Sequence, residues 1–584
     1  MILAENESRL LAPAQTIATG LWRLQLRGDE LADFEYRGHP VLRAIRPVVR
    51  DHDWRTLAPI VESTTWNDDG RFTLRLVVAF AGFGVEYRAD LAVRIFGDDL
   101  TVTFDGVAPG DLRSNRIGLV VLHRPDDAGR NVTITAPDQT RTSSAFPTDI
   151  SPHQPFINIA AMGWERDGTA FGLAFSGDIF ETEDQRNWTD ASFKTYSTPL
   201  SRPFPVTVHA GDRVHQSVRL TAAPADMAAS ADQTPEAPEP PPEVLTVRGQ
   251  AQGRVPALGT SSSPSAIGLG EVRGLGALIV EVPGDDTASA TQILGHAVQQ
   301  AAELGAALDV RIIATGPGEI RAVMDLLPLE NANRIGAFSS RSHVTEPDLW
   351  EELHSEAQRR GFTGALLAGA RAHFAELNRR REVLPGNADA ITYSITPQMH
   401  ATEVPHIVES LPIQRQTALN ALRIGSGKPL HIGPVTLKPR FNAVSTDGAN
   451  DAGTIEEMIA DPLQAEDFTA AWLLGSIAAL TLPGVESVSY FEASGTRGLL
   501  TDAGTPTLAF HLLEKLAALR GADVLEVEGA VPGLVLYPAK SGSGVVLFAA
   551  NLTAKPLRAA VKLEHGYTRT LDIPAWSAIV RPLG

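Results

Sequence analysis

Between Leu275 and Gly521 the chain alternates short apolar, strand-like runs with longer amphipathic ones, and this alternation constrains the fold more than any other feature. Strands separated by helices build a parallel sheet, and about 250 residues suffice to close one into a (β/α)8 barrel. The predicted strands are Ala277 to Val282, Asp309 to Thr315, Arg334 to Ser339, a fourth delivering Glu376, Ala390 to Ile395, Pro429 to Val435, and a seventh ending at Glu492. An eighth has no clear signature and is expected within Leu499 to Thr505. Catalytic residues of such barrels sit at the C-terminal strand ends.

A chain of 584 residues exceeds one core, so further domains flank the barrel. Gln15 to Ala222 shows period-two runs such as Phe72-Thr73-Leu74-Arg75-Leu76, which predict an N-terminal antiparallel β-sandwich over residues 1–222 with solvated outer faces. Residues 223–245 are rich in Pro and Ala and predict a linker. The barrel is then expected over 246–522 and a small C-terminal β-sandwich over 523–584. Phe468 to Leu482 is apolar throughout, but it is interrupted by Gly475 and too short to cross a bilayer; it predicts a buried barrel helix.

The net charge of −19 argues against nucleic-acid and anionic-membrane partners and leaves a small molecule as the expected one. With no cysteine, thiol nucleophiles and Cys-ligated zinc are excluded. No His-x-x-x-His pair or calcium loop is present, so no metal or other cofactor is indicated. Gly425-Ser426-Gly427 and Ser541-Gly542-Ser543-Gly544 do not form a strand-to-helix serine elbow. Met1 to Ser8 has no basic and apolar leader, which points to the cytoplasm.

Glu376 and Glu492, one at each of two strand ends, would face each other across the barrel mouth and divide acid and base roles. The bland alternative is that each merely pairs with Arg371, Arg379 or Arg497. Asn378, Tyr393, Gln398, His400, Lys438, Arg440, Asn442 and Tyr490 are expected around the same mouth as substrate-binding groups, with Arg371 and Arg497. Arg371, His400 or Lys438 would face a developing oxyanion. In the β domain, Glu183 to Tyr196 sets Asp184, Arg186, Asn187 and Trp188 in one mixed-charge, aromatic block. Such a block suits a sugar-facing loop or an ion-paired surface loop.

The blocks Gly38 to Ile45, Val49 to Thr56, Glu183 to Tyr196, Phe374-Ala375-Glu376-Leu377-Asn378-Arg379 and Tyr490-Phe491-Glu492 resemble the D-apionate lactonase family nearly end to end. That resemblance implies hydrolysis of the lactone of a branched sugar acid, D-apionate, in apiose catabolism. The barrel is also similar to those of clan A glycoside hydrolases, whose acids end strands four and seven. There Asn directly precedes the strand-four acid, whereas Ala375 stands here. A retaining glycosidase is therefore the alternative activity, and a non-catalytic sugar-binding protein a more distant one.

Overall fold

The computed structural model describes residues 6, 8–11, 14–224, 244–264, 268, 270–444, 459–542 and 544–583. Most of the expected linker, from residue 225 to 243, lies outside them. The N-terminal β domain is two nine-stranded sheets, one centred on His39–Asp51 and Leu112–His123, the other running from Arg141–Ala145 to Ala58–Asp68. Phe34, Leu42 and Val121 of the first share one apolar core with Leu76, Val93 and Leu220 of the second, which makes the pair a sandwich.

One expectation about this domain fails. The second sheet keeps the solvated outer face that Phe72–Gly82 encodes, every second residue being buried. His39–Asp51 is instead buried along nearly its whole length, because its outer face is covered by barrel loops. Arg46 there pairs with Glu403 at 3.0 Å, and Arg43 with Glu409 at 2.6 Å.

The central unit is a closed eight-stranded parallel barrel. Its first strand is Ala257–Ser261, which pairs with both Ala277–Pro283 and Val485–Ser494 and so closes the ring. The sequence hides this strand because it is made of small residues. A Cβ on Gly259 would lie 2.5 Å from the Ala277 carbonyl oxygen and 2.5 Å from Ser489 Oγ, so the strand's close packing demands glycine. Strand numbers consequently rise by one: Ala365–Gly369, which precedes Glu376, is the fifth strand, and Val485–Ser494, which bears Glu492, is the eighth. Gly498–Leu500, where an eighth strand is expected, is a short strand paired beside the end of Val485–Ser494.

Leu245–Arg254 does not belong to the barrel. It pairs with Asp523–Glu528 and Leu557–Leu563 inside a seven-stranded C-terminal sheet. Ser577–Leu583 pairs with Gly544–Asn551 of that sheet and not with the N-terminal strands. Strand periodicity divides its faces: Leu547 and Ala549 join the C-terminal core, while Phe548 and Ala550 join the barrel core. Helix Asp467–Leu480 packs its neighbours on every side, which accounts for its lack of a polar stripe. No helix among the described residues is long and apolar enough to cross a membrane.

Candidate active site

Two cavities open at the C-terminal end of the barrel, and Arg440 lines both. The larger, of about 660 Å³, lies between the barrel and the outer face of the first β sheet. Its floor follows the strand register. Arg46, Val48 and Arg50 alternate along one strand opposite Val120, Gly118 and Arg116 of the next. Lys194 and Tyr196 continue the same face opposite Leu122 and Val120. The roof is formed by Gln398, His400, Lys438, Arg440, Phe441 and Asn442, from the loops after the sixth and seventh strands.

The block Glu183 to Tyr196 reaches the barrel. Glu183 and Lys194 are cross-strand partners and form a 2.8 Å ion pair facing the cavity. Burial would raise the Glu183 pKa, but the charges of Lys194, His400 and Arg379 together outweigh it and hold the carboxyl well below its ordinary range. Trp188 donates its indole N–H to Glu183 at 3.0 Å and packs edge-on to His400, ring centres 6.0 Å apart. Asp190 meets His400, its Oδ2 2.7 Å from Nδ1. An ionised Asp190 can only accept, so the imidazole proton resides on Nδ1. Burial pushes the His400 pKa below its ordinary 6.5, with Asp190 opposing, which favours the neutral ring. No described residue bonds His400 Nε2. Gln398 donates to Asp461 at 2.6 Å, while its buried Oε1 has no partner among the described residues.

The smaller cavity, of about 440 Å³, sits in the barrel mouth among Ser261, Ser263, Glu281, Thr436, Glu492 and Arg497. Glu492 is ion-paired with Arg497, and burial raises its pKa against the opposing charges of Arg497 and Arg440. Its direction depends on a bulge. Tyr490 faces outward to Ser476 at 2.9 Å, and strict alternation would turn Glu492 outward as well. Phe491, at φ +56°, shifts the phase, and the register slips between Ser489 and Glu492. Glu281, which sequence reasoning missed, binds Arg371 at 2.9 Å and Arg440 at 2.9 Å. Those two arginines outweigh its burial and hold its carboxyl well below the ordinary range. Arg371 also lies 4.0 Å over Phe441.

The two expected catalytic acids do not share a cavity. Glu376 lies in helix Phe374–Arg379, past its strand end, and accepts the His373 backbone N–H at 2.8 Å. Burial raises its pKa to about 7, yet it lines neither cavity.

Three residues of the β-domain block are also turned away: Asp184 has the opposite strand parity from Glu183, and Arg186 and Asn187 lie in the 3-10 turn Gln185–Trp188 that follows. Asp184 and Arg186 form a buried ion pair at 2.7 Å, and Arg186 braces the Pro147 carbonyl. Asn187 accepts a bond from Asn378 at 2.9 Å, joining the domains. Tyr393 points outward to Thr417 at 2.9 Å. Asn442 lines the larger cavity while donating to Asp53 at 3.0 Å. Of the expected groups, Trp188, Gln398, His400, Lys438, Arg440 and Asn442 therefore meet in the larger cavity. Glu492, Arg497 and, again, Arg440 meet in the smaller. Asp190, Glu183, Lys194, Arg50 and Arg116 were missed as site residues. The signal for the first four was the density of charge and aromatics in Val49 to Thr56 and Glu183 to Tyr196; Arg116 lies in neither block.

A closed barrel whose C-terminal mouth is roofed against a β sandwich, with ionisable side chains drawn from both, defines a multidomain barrel protein with a cavity between its domains. Residues 2–225 match the model of the D-apionate lactonase N-terminal domain, and residues 279–521 match that of the D-apionate lactonase TIM barrel domain. The chain belongs to the D-apionate lactonase family. A D-apionate lactonase of Brucella anthropi is 27% identical over 92% of this chain and 93% of its own length. Among solved structures, a GH30 endoxylanase from Clostridium papyrosolvens matches with a TM-score of 0.37 at 12% identity, covering 58% of this chain and 100% of its own. A beta-arabinopyranosidase matches at 0.31 and 12% identity over 96% and 98%.

Proposed function

We propose that this protein hydrolyses a sugar-acid lactone, D-apionolactone to D-apionate by family, and that the reaction takes place in the interdomain cavity. The observation that carries the assignment is the His400–Asp190 contact of 2.7 Å at the cavity wall, with the imidazole held neutral by burial. In this reading Asp190 fixes the tautomer and His400 Nε2 removes a proton from water, which attacks the lactone carbonyl. Lys194 and Lys438 line the same cavity and supply positive charge to the developing oxyanion. Collapse of the tetrahedral intermediate breaks the acyl C–O bond, and the imidazolium returns its proton to the departing ring hydroxyl. In this reading Gln398 Oε1, which has no partner among the described residues, accepts a substrate hydroxyl. The cytoplasm and apiose breakdown are the setting that this reading implies.

The strand count bears on the glycosidase alternative. Counted from Ala257–Ser261, the fourth strand ends in Ser339, followed by Ser340 and Arg341; the seventh ends in Val435, followed by Thr436, Leu437 and Lys438. Neither end bears the carboxylate that the clan A arrangement requires. The test is hydrolysis of γ-lactones beside chromogenic glycosides by wild type and His400→Asn, with single turnover in oxygen-18 water. Label entering the product carboxylate without entering the enzyme is the expected result. Label in Glu492 would replace water attack by a covalent acyl-enzyme in the barrel mouth.

A further inference from the structure

Glu183 gathers partners from three separate elements at the wall of the interdomain cavity. Its cross-strand neighbour Lys194 meets Oε2 at 2.8 Å. The Trp188 indole, from the 3-10 turn Gln185–Trp188, donates to Oε1 at 3.0 Å. Arg379, from the barrel helix Phe374–Arg379, approaches the same oxygen at 3.5 Å and lies 5.3 Å over the Trp188 ring. Trp188 in turn packs edge-on to two imidazoles, its ring centre 6.0 Å from that of His400 and 5.5 Å from that of His373. Lys194 is steadied a second time, its Nζ 4.9 Å from the centre of the Tyr196 ring. A cation that faces the cavity and a ring that flanks His400 are therefore seated on one carboxylate.

Stability does not account for this arrangement. The Glu183 and Lys194 side chains are only 13% and 11% exposed, and a buried ion pair is often no more stable than an apolar pair of the same volume. Nor is the pair needed to join the domains. Asn378 donates to Asn187 at 2.9 Å and to the Ile150 carbonyl at 3.0 Å, and Arg46 and Arg43 bind Glu403 and Glu409 across the same seam.

We propose that Glu183 is a positioning residue of the reaction site, fixing the Lys194 ammonium where the oxyanion develops and holding the Trp188 ring against His400. It acts through these two neighbours, to which its two oxygens are committed. Burial depresses the Lys194 pKa below its ordinary 10.5; Glu183 and Asp190 oppose the fall, and Arg50 adds to it. Tyr196, whose phenol burial keeps protonated, and His400, kept neutral by burial, add no charge at alkaline pH. Removing the Glu183 charge lets the Lys194 pKa fall further, so the cation is lost at a lower pH. The role in catalysis rests on the lactonase reading; the coupling of Glu183 to Lys194 does not.

The test is hydrolysis of D-apionolactone, corrected for the spontaneous reaction, by wild type, Glu183→Gln, Lys194→Met and the double variant. Gln keeps an acceptor for Trp188 and removes the charge. Glu183→Gln is expected to lower kcat by about 10- to 100-fold with KM little changed, and to move the alkaline limb of the kcat/KM profile to lower pH. In the Lys194→Met background the same substitution should cost little more, since its effect passes through Lys194. The double variant strands no ammonium, so its melting temperature should stay near that of wild type while kcat stays down. An unmoved alkaline limb, an undiminished penalty in the Lys194→Met background, or a double variant with wild-type kcat overturns the proposal. The Nζ resonance of Lys194 in nitrogen-15 lysine-labelled protein, assigned by its loss in Lys194→Met, reads the same titration without substrate. Its titration should move to lower pH in Glu183→Gln, and an unmoved titration overturns the proposal whether or not lactone is turned over. A titration that moves, in a protein that hydrolyses no lactone, leaves the coupling standing and removes the lactonase reading.

Discussion

The two cavities differ in who builds them. The barrel mouth draws on barrel residues, is rich in serine hydroxyls and holds its acids in ion pairs, Glu281 with two arginines and Glu492 with Arg497. The interdomain cavity takes its floor from the β sandwich and its roof from the barrel, and there Arg116 keeps two buried nitrogens, Nε and Nη2, without a partner among the described residues. Paired groups are already satisfied, whereas unpaired buried ones store interaction for a ligand. On the proposed reading, this barrel's chemistry lies off its axis at the seam with the β domain, and Arg440, lining both cavities, joins the two.

The largest effect that would break this contrast is at the dyad. His400→Asn keeps a donor for Asp190 but removes the base, and kcat should fall by about 100- to 10,000-fold with little change in melting temperature. Because burial outweighs the opposing charge of Asp190 and depresses the His400 pKa, the active neutral ring persists below pH 6.5. Protonation at still lower pH then switches activity off. Asp190→Asn removes the opposing charge, so the acid limb of the kcat/KM profile should move to lower pH while the rate falls. An unmoved limb would detach Asp190 from His400.

Next in size is Glu281→Gln, which leaves Arg371 and Arg440 facing each other without a counter-charge. A loss of about 3 kcal/mol in urea unfolding is expected. Retained stability would mean that the barrel mouth does not depend on its ion pairs.

Glu492→Gln sharpens the comparison directly. With the chemistry at the seam, turnover should drop by less than about tenfold. A loss of about 100-fold or more returns catalysis to the barrel mouth. The smallest effect is expected at Glu376→Ala, which removes a carboxylate accepting a helix-start N–H: about 1 kcal/mol of stability, read by melting, with kcat nearly unchanged.

Much of the fold was legible. Apolar strands such as Ala390–Ile395 and Leu430–Val435 announce themselves, since a parallel barrel strand is buried on both faces. Ala257–Ser261 did not, because its role demands small residues that carry no hydrophobic signal, and the strand count slipped by one. The site was legible in composition and less so in direction. Trp188, Gln398, His400, Lys438, Arg440 and Asn442 do gather, while Asp184, Tyr393 and Tyr490 point away, because a single residue of strand parity turns a side chain to the other face. Phe491, with its positive φ, resets that parity at Glu492, and no period-two rule anticipates a bulge.

By itself the sequence determined the β domain, the barrel and the C-terminal strands, because periodicity and burial are local properties of a chain. It also determined the family, through blocks of charge and aromatics near Arg50 and Glu183. Only the tertiary structure decided which of those charges meet. The His400–Asp190 contact joins residues 210 positions apart, and the Arg50–Arg116 pair depends on the register of two strands. Separation along the chain carries no information about such contacts; packing one domain's outer face against another's loops creates them.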